Sequence, residues 1–400
     1  MGDWGCWVGW LSVARVSVLF AMDESITFLH SSDWQLGMMR RFLGPDGQAR
    51  WGQARLDAVA RIGEVAERTG AAFVVVTGDV FEHNQVERQT ILRACEALKR
   101  IPVPVVLLPG NHDALEPGSL WTSSQWLAHA PDHVTVLTET TPFQIVPGVE
   151  LVGAPWRSRR PLSDPAAPGY ADLTPDPKTT RILLAHGQLT SLSGGMSDVP
   201  TIDQAALEAA VADGRLQYVG LGDRHSTTRV TDRIWFSGTQ EVTSPEEDAP
   251  GNVLKVTISG GGIDGAIDVE PIRVGAWHMV DHRVELFDEE SITALEDWFA
   301  ELPDKERTYV RLAGDGSLSL PLLARLDTII DAQGEVFASV ERWVKFWTVR
   351  PAPDAADLES LQLSGPARAA MEELRQALAG GDESAGAALS LMHRLARDAG

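Results

Sequence analysis

Five apolar runs of this chain each break off into a polar cluster able to bind a cation: FLHSSDWQ at 28–35, FVVVTGDVFEHN at 73–84, VVLLPGNHD at 105–113, ILLAHG at 182–187 and YVGLGDRH at 218–225. Short runs that are apolar throughout read as buried strands. Helical periods lie between the first of them, at 50–70, about 86–100 and about 119–129. That alternation specifies an α/β layer fold. In such folds ligands gather beyond the carboxyl ends of the strands, so Asp33, Asp79, Asn111, His112, His186, Asp223 and His225 can meet despite their separation. Each cluster alone is a weak signal, because Gly-Asp is an ordinary strand-ending turn and a lone histidine is more often a satisfied polar residue. Their shared position at five strand ends is the argument.

The remaining chain divides by pattern. Four hundred residues, 44% hydrophobic, can bury a large core in two or three domains. A strand-rich stretch at 250–275, split by GGG at 260–262, marks a boundary. Beyond it HMVDHRVEL, EESITALEDWFAEL, RTYVRLAG, LPLLARLDTIIDAQG and VERWVKFWTV read as β-α-β-α-β. We therefore expect residues 1–25 to be an extension outside the fold, with Met22 as the natural first residue. Residues 26–250 should form the main domain, 251–350 a small α+β cap, and 351–400 a linker and C-terminal helices. In that tail MEELRQAL and ALSLMHRL carry apolar faces at helical spacing, fit either to bind a partner or to dock on the cap.

Composition excludes some functions. A formal charge of −22 rules out holding nucleic acid through a broadly basic surface, so contact with phosphates must be local or assisted by metal or partner. Cys6 and Cys95 give neither a disulfide framework nor a zinc pattern; they are expected to pack in a reducing, cytoplasmic setting. The apolar run near the N-terminus is too short and interrupted for a membrane span.

With SDWQLGM at 32–38, GNHD at 110–113 and LGDRHS at 221–226, the chain resembles the calcineurin-like metallophosphoesterases, and among them the SbcD-type DNA repair exonucleases. The resemblance is strong over 26–245 and rests on arrangement alone beyond. It implies a four-layer metallophosphoesterase β-sandwich flanked by helices, two catalytic divalent metals, and hydrolysis of phosphoric esters, DNA phosphodiesters above all, beside an SbcC-like SMC-family ATPase. A homodimer is compatible with it. Carried over by position, Asp33, Gln35, Asp79 and His225 hold the first metal, and Asp79, Asn111, His186 and Asp223 the second. Two dications about 4 Å apart repel by roughly 15 to 20 kcal/mol at an effective dielectric of about 20, so a shared anionic ligand such as Asp79 is required. His112 then stabilises the transition state or protonates the leaving oxygen, and Asp113 orients it.

Two residues depart from the commoner pattern. Gln35 stands where an imidazole is usual and Asp223 replaces the first histidine of GHxH, so two nitrogen donors are lost and one negative charge is gained. An oxygen-rich site with three carboxylates favours harder cations, Mn²⁺ first and Mg²⁺ second, over zinc. For substrate contacts the candidates are His83 and the loop cations Arg157, Arg159 and Arg160. Trp34, Trp121, Trp126 and Trp156 are expected to pack under loops, with base stacking the less favoured reading. The rival functions are a phosphodiesterase for a small substrate, which suits the acidic charge, and a metal-weakened scaffold without activity.

Overall fold

The computed structural model describes residues 25–193, 200–260, 265–352 and 365–398. Residues 1–24 of the expected extension and 353–364 of the expected linker lie outside these residues. Four strands, β1 (Ile26–Ser31), β2 (Val74–Thr77), β3 (Val105–Leu108) and β4 (Val134–Val136), run parallel in the first sheet. The second sheet contains β5 (Phe143–Val146), β6 (Val149–Gly153), β7 (Thr180–His186), β8 (Tyr218–Gly222), β9 (Thr228–Arg229) and β10 (Ile234–Phe236). Its order is β5-β6-β7-β8-β10-β9, with β6, β7, β8 and β10 parallel.

Strand side chains point alternately to the two faces of a sheet, and here both faces are apolar. Phe28 and Val75 face the second sheet, where they meet Leu151, Ile182, Leu184 and Tyr218. Their neighbours Leu29, Val74 and Val76 face the helices Gly44–Thr69 and Arg88–Leu98. Val152, Leu183 and Val219 do the same for the outer face of the second sheet, covered by the helix Gln204–Ala212. The result is the expected four-layer α/β sandwich. The long first helix stops at Gly70, whose φ of 65° is a left-handed cap that costs glycine nothing.

The expected domain boundary at 251 is displaced. The hairpin β11 (Asn252–Ser259) and β12 (Ala266–Arg273) extends the first sheet, which runs β12-β11-β1-β2-β3-β4, with β11 antiparallel to β1 from Ile26↔Ile258 to His30↔Leu254. Val253, Leu254 and Val256 are fully buried in the sandwich. The cap proper begins at β13 (His278–Leu286), which pairs in parallel with β14 (Thr308–Leu318), itself parallel to β15 (Ser339–Trp347) and, at its end, to β16 (Arg350–Pro351). Helices Glu289–Glu301 and Leu320–Gly334 make the crossovers, the first opened by an Asp288–Ser291 capping box. This is the β-α-β-α-β reading of the sequence. The tail helices Pro366–Ala379 and Glu383–Asp398 bury Met371 and Leu389 against Leu320 of the cap, while Leu391 and Leu395 stay exposed. Among the described residues no helix is long and apolar enough to cross a membrane.

Candidate metal centre

Parallel strands of both sheets end on one side, and the polar clusters follow those ends. Asp33 lies two residues past β1, Asp79 two past β2, Asn111 three past β3, His186 ends β7, and Asp223 follows β8 directly. Within the described residues, Asp33, Asp79 and His186 are the buried group whose ligand atoms all fall within 4.8 Å of one another. His186 Nε2 lies 2.8 Å from Asn111 Oδ1, 3.4 Å from Asp79 Oδ2 and 3.8 Å from Asp223 Oδ1; His225 Nε2 is 4.0 Å from Asp33 Oδ1. The structure thus brings six of the seven expected ligands, Asp33, Asp79, Asn111, His186, Asp223 and His225, to one place at the strand ends.

Gln35, the seventh, is marked by burial. It is almost fully buried, and its Oε1 has no hydrogen-bond partner. A buried carbonyl oxygen without a donor costs roughly 1–3 kcal/mol unless something electropositive meets it.

The backbone is bent to make this geometry. Asp33, Gln35, Asp79 and Asp223 all have positive φ, at 54°, 38°, 53° and 96°. Such conformations cost about 1–3 kcal/mol each for residues other than glycine, and they concentrate at functional sites. Two glycines allow the close approach: a Cβ on Gly78 (φ 98°) would stand 2.1 Å from His186 Nδ1, and one on Gly110 would stand 2.2 Å from Asp79 Oδ1. Hydrogen bonds then fix the carboxylates. Asp33 accepts from Ser32 Oγ at 2.5 Å and from the Asp223 amide, and Asp79 Oδ1 accepts the His112 amide at 2.9 Å.

Electrostatics tests whether cations fit. Burial drives the Asp33 and Asp223 carboxyls upward, Asp223 to about 6, with the other carboxylates adding to the rise. Burial would lower His186, but Asp79, then Asp33 and Asp223, hold it well above the ordinary imidazole value; the same ion pair keeps Asp79 low despite its burial. The cluster is therefore short of positive charge, and a proton on His186 supplies part of it. His186 Nδ1 faces the Thr77 carbonyl at 2.8 Å, which can only accept, so Nδ1 is the donor and Nε2 is the atom turned to the oxygens. These residues fit two divalent cations. A cation must displace the His186 proton, so affinity should fall as pH falls through the raised imidazole pKa, and binding should release protons. Calorimetric titration with Mn²⁺ in two buffers of different ionisation enthalpy should show that release; identical heats would exclude it.

Other expected site residues fall differently. His112 is 36% exposed at the side chain, with Nε2 3.9 Å from Asp79 Oδ2 and Nδ1 donating to the Glu82 carbonyl at 2.7 Å. Asp113, expected to orient it, spends its carboxylate on backbone amides instead: Oδ1 accepts from Gly110 and Oδ2 from Phe81. Burial, then the neighbouring Asp79, push its carboxyl up to about 7. Asp113 thus shapes the loop, and the Glu82 carbonyl orients the ring. His83 is exposed and turned back on its own loop, where Nδ1 accepts the Gln85 amide. Arg157 and Arg159 are paired with Glu139 and Glu116, which weakens them as phosphate contacts, and Arg160 is exposed on the same loop.

All four tryptophans are buried, so they are not stacking surfaces. Trp121 Nε1 donates to the Asp113 carbonyl and Trp156 Nε1 to that of His186, each at 2.6 Å, so two of them brace the ligand loops from beneath. Cys95 is likewise a packing residue.

Three residues were missed by sequence reasoning. Glu247 takes the far side of His225, with Oε1 2.9 Å from Nδ1, and Thr243 Oγ1 sits 2.8 Å from the same nitrogen. Arg224 lines a cavity of about 340 Å³ beside Asp223 and His225. Arg224 adjoins the ligands in the sequence, but no recognisable spacing links 243 and 247 to 225.

The calcineurin-like phosphoesterase family matches residues 26–226. Among solved structures the chain is similar to TT1561 of Thermus thermophilus, at 12% identity and a TM-score of 0.37, over 63% of this chain and 100% of that one. It is also similar to a dimetal phosphatase from Danio rerio, at 13% identity and a TM-score of 0.37, over 62% and 99%. No curated protein matches the chain. Matched over half its length, with the matched segment containing every strand end that builds the metal centre, the chain belongs to the calcineurin-like phosphoesterase family.

Proposed function

We propose that this protein hydrolyses phosphodiester bonds in DNA with two divalent cations, Mn²⁺ first and Mg²⁺ second, in partnership with an SMC-family ATPase of the SbcC type. The observation that carries the reading is the convergence of Asp33, Asp79 and His186 on one strained, buried centre, with Asn111, Asp223 and His225 beside them. A scaffold that had lost its metals would have no reason to maintain four costly backbone conformations there. This argues for an enzyme.

Asp33, Gln35, Asp79 and His225 would hold one cation, and Asp79, Asn111, His186 and Asp223 the other. Together these cations supply Lewis acidity and lower the pKa of water enough for attack near neutral pH. The chain's own contribution is position and a proton. His112 presents Nε2 to the centre because Nδ1 is committed to Glu82, so it can hold a proton toward the leaving oxygen. Arg224, hydrogen-bonded through Nε to the neutral Thr228 hydroxyl at 2.8 Å, is placed to meet a phosphate oxygen in the adjoining cavity.

What supports DNA over a small ester is the cap face opposite its helices. There Arg283 lies 5.1 Å and Lys345 5.0 Å from the Phe346 ring, which meets Trp343 edge to face at 4.3 Å. Mixed aromatic and cationic faces of this kind hold single-stranded nucleic acid with little sequence preference. For the partner, exposed Leu391 and Leu395 leave an apolar strip on the last helix after its docking contacts are made.

The test is metal-stripped protein titrated with Mn²⁺, Mg²⁺ or Zn²⁺ against single-stranded DNA, duplex ends and a small aryl phosphodiester in parallel. Mn²⁺-dependent cleavage of DNA is expected. Turnover of the aryl ester alone would favour a small substrate, and no turnover at saturating Mn²⁺ would leave the scaffold. At the same centre, Gln35→His should tighten the cation that Asp33, Gln35, Asp79 and His225 would hold and shift preference toward Zn²⁺, read by elemental analysis after dialysis.

A further inference from the structure

The loop 243–249 joins the metal centre to the cap. On its inner side Glu247 is nearly buried, at 8% side-chain exposure, and its carboxylate accepts from His225 Nδ1 at 2.9 Å, from the Thr243 amide at 2.9 Å and from the Thr243 hydroxyl. On its outer side the adjacent Glu246 accepts from Arg311 of β14 at 2.5 Å. Arg311 is itself held by Asp281 of β13 in a two-bond fork, both contacts 2.7 Å, and stacks on Trp343 of β15. One cation thus ties all three major cap strands to the residue beside the His225 partner. The loop has further anchors: Arg40 Nε donates to the Thr243 carbonyl, the Asp248 amide to Ser226 Oγ, and the Thr227 amide to the Ala249 carbonyl. It cannot shift without moving the segment that carries His225.

We propose that Glu247 is a positioning residue for His225, and that the cap keeps it in place through Arg311 and Glu246, so that the seating of the cap sets cation affinity at the Asp33–His225 side of the centre. The physical reason lies in the imidazole. A carboxylate on Nδ1 keeps the proton on that nitrogen, leaves the Nε2 lone pair facing Asp33, and makes that lone pair more basic. An exposed ion pair is usually worth little, but a forked, stacked guanidinium has a fixed direction and passes on its position. Arg311 has only 14% of its side chain exposed. The proposal rests on His225 being a ligand, as in the function proposed above.

Two measurements on the full chain test it. In metal-free protein labelled with ¹⁵N-histidine, at alkaline pH where the ring is neutral, wild-type His225 should carry its proton on Nδ1. Glu247→Gln should mix the two tautomers, and Arg311→Ala should do so in part. Equilibrium dialysis with Mn²⁺ and elemental analysis should then show the Asp33–His225 site loosened roughly 10- to 100-fold in Glu247→Gln, by a smaller factor in Arg311→Ala, and restored in part by Glu247→Asp and Arg311→Lys. An unchanged tautomer and unchanged affinity in Glu247→Gln would overturn the positioning role, and the same null in Arg311→Ala would overturn the part of the cap. Should Glu247→Gln fail to fold, Glu247→Asp and Arg311→Ala carry the test. His225→Ala, dialysed alongside, separates the two ideas: if it keeps both metals, the ligand assignment fails, whereas if it loses one while Glu247→Gln loses none, only the relay fails.

Discussion

Asp79→Asn should abolish binding of both cations at once and lower kcat/KM by at least about a thousand-fold, or about 4 kcal/mol of transition-state stabilisation. Asparagine keeps the volume and tolerates the φ of 53° found here, so the backbone has no new reason to move. Only the charge is lost. Asp79 has Oδ2 3.4 Å from His186 Nε2 and Oδ1 on the His112 amide, and in the proposed bridging role a neutral amide cannot offset the mutual repulsion of two dications. In the metal-free protein the same change removes the main support for the raised His186 pKa. That support stabilises the fold below the unfolded-state imidazole pKa and is lost as pH rises through the raised value; in the variant this pH dependence should flatten. Elemental analysis, kinetics and melting curves against pH make the three measurements. Retention of two metals by Asp79→Asn would remove Asp79 from the bridge.

The meeting of the strand-end candidates was legible because parallel strands of an α/β fold deliver their next residues to one side, whatever the sequence distance. Gln35 follows the same strand end, and its buried oxygen has no hydrogen-bond partner. What could not be read depends on pairing across long separations. The hairpin 252–273 alternates like an independent unit, and its partner β1 lies more than 200 residues earlier, so nothing local distinguishes a sheet edge from the start of a cap. Glu247 was hidden in the same way, in a loop rich in acidic residues where only folding selects one of them for His225. Asp113 shows the opposite failure. Adjacency to His112 suggested that it orients the ring, yet in a tight turn successive side chains diverge, and its carboxylate was needed for two buried amides. The tail helices were legible as amphipathic, but an apolar face does not name its partner; here Met371 and Leu389 found Leu320.

If DNA is the substrate, as proposed, His112→Ala should lower its turnover by about 100- to 10,000-fold, roughly 3 to 5 kcal/mol, while both metals stay bound. The ring is not needed to hold them. Its Nε2 is 3.9 Å from the nearest Asp79 oxygen, and the contact through which residue 112 steadies Asp79 is a backbone amide that alanine retains. What disappears is a donor aimed at the centre by the Glu82 carbonyl. The size of the loss should depend on the leaving group, which separates the two roles the ring can play. The alkoxide released from DNA needs a proton, whereas a nitrophenolate leaves without one, so a general acid predicts a far smaller penalty on the aryl ester. A group that only stabilises charge on the phosphoryl oxygens predicts nearly equal penalties on both substrates. The side chain is 36% exposed, so added imidazole can enter the space left by the ring and should restore part of the DNA activity. If His112→Ala instead loses a metal ion, or loses equally on both esters with no rescue by imidazole, the ring is not the proton donor.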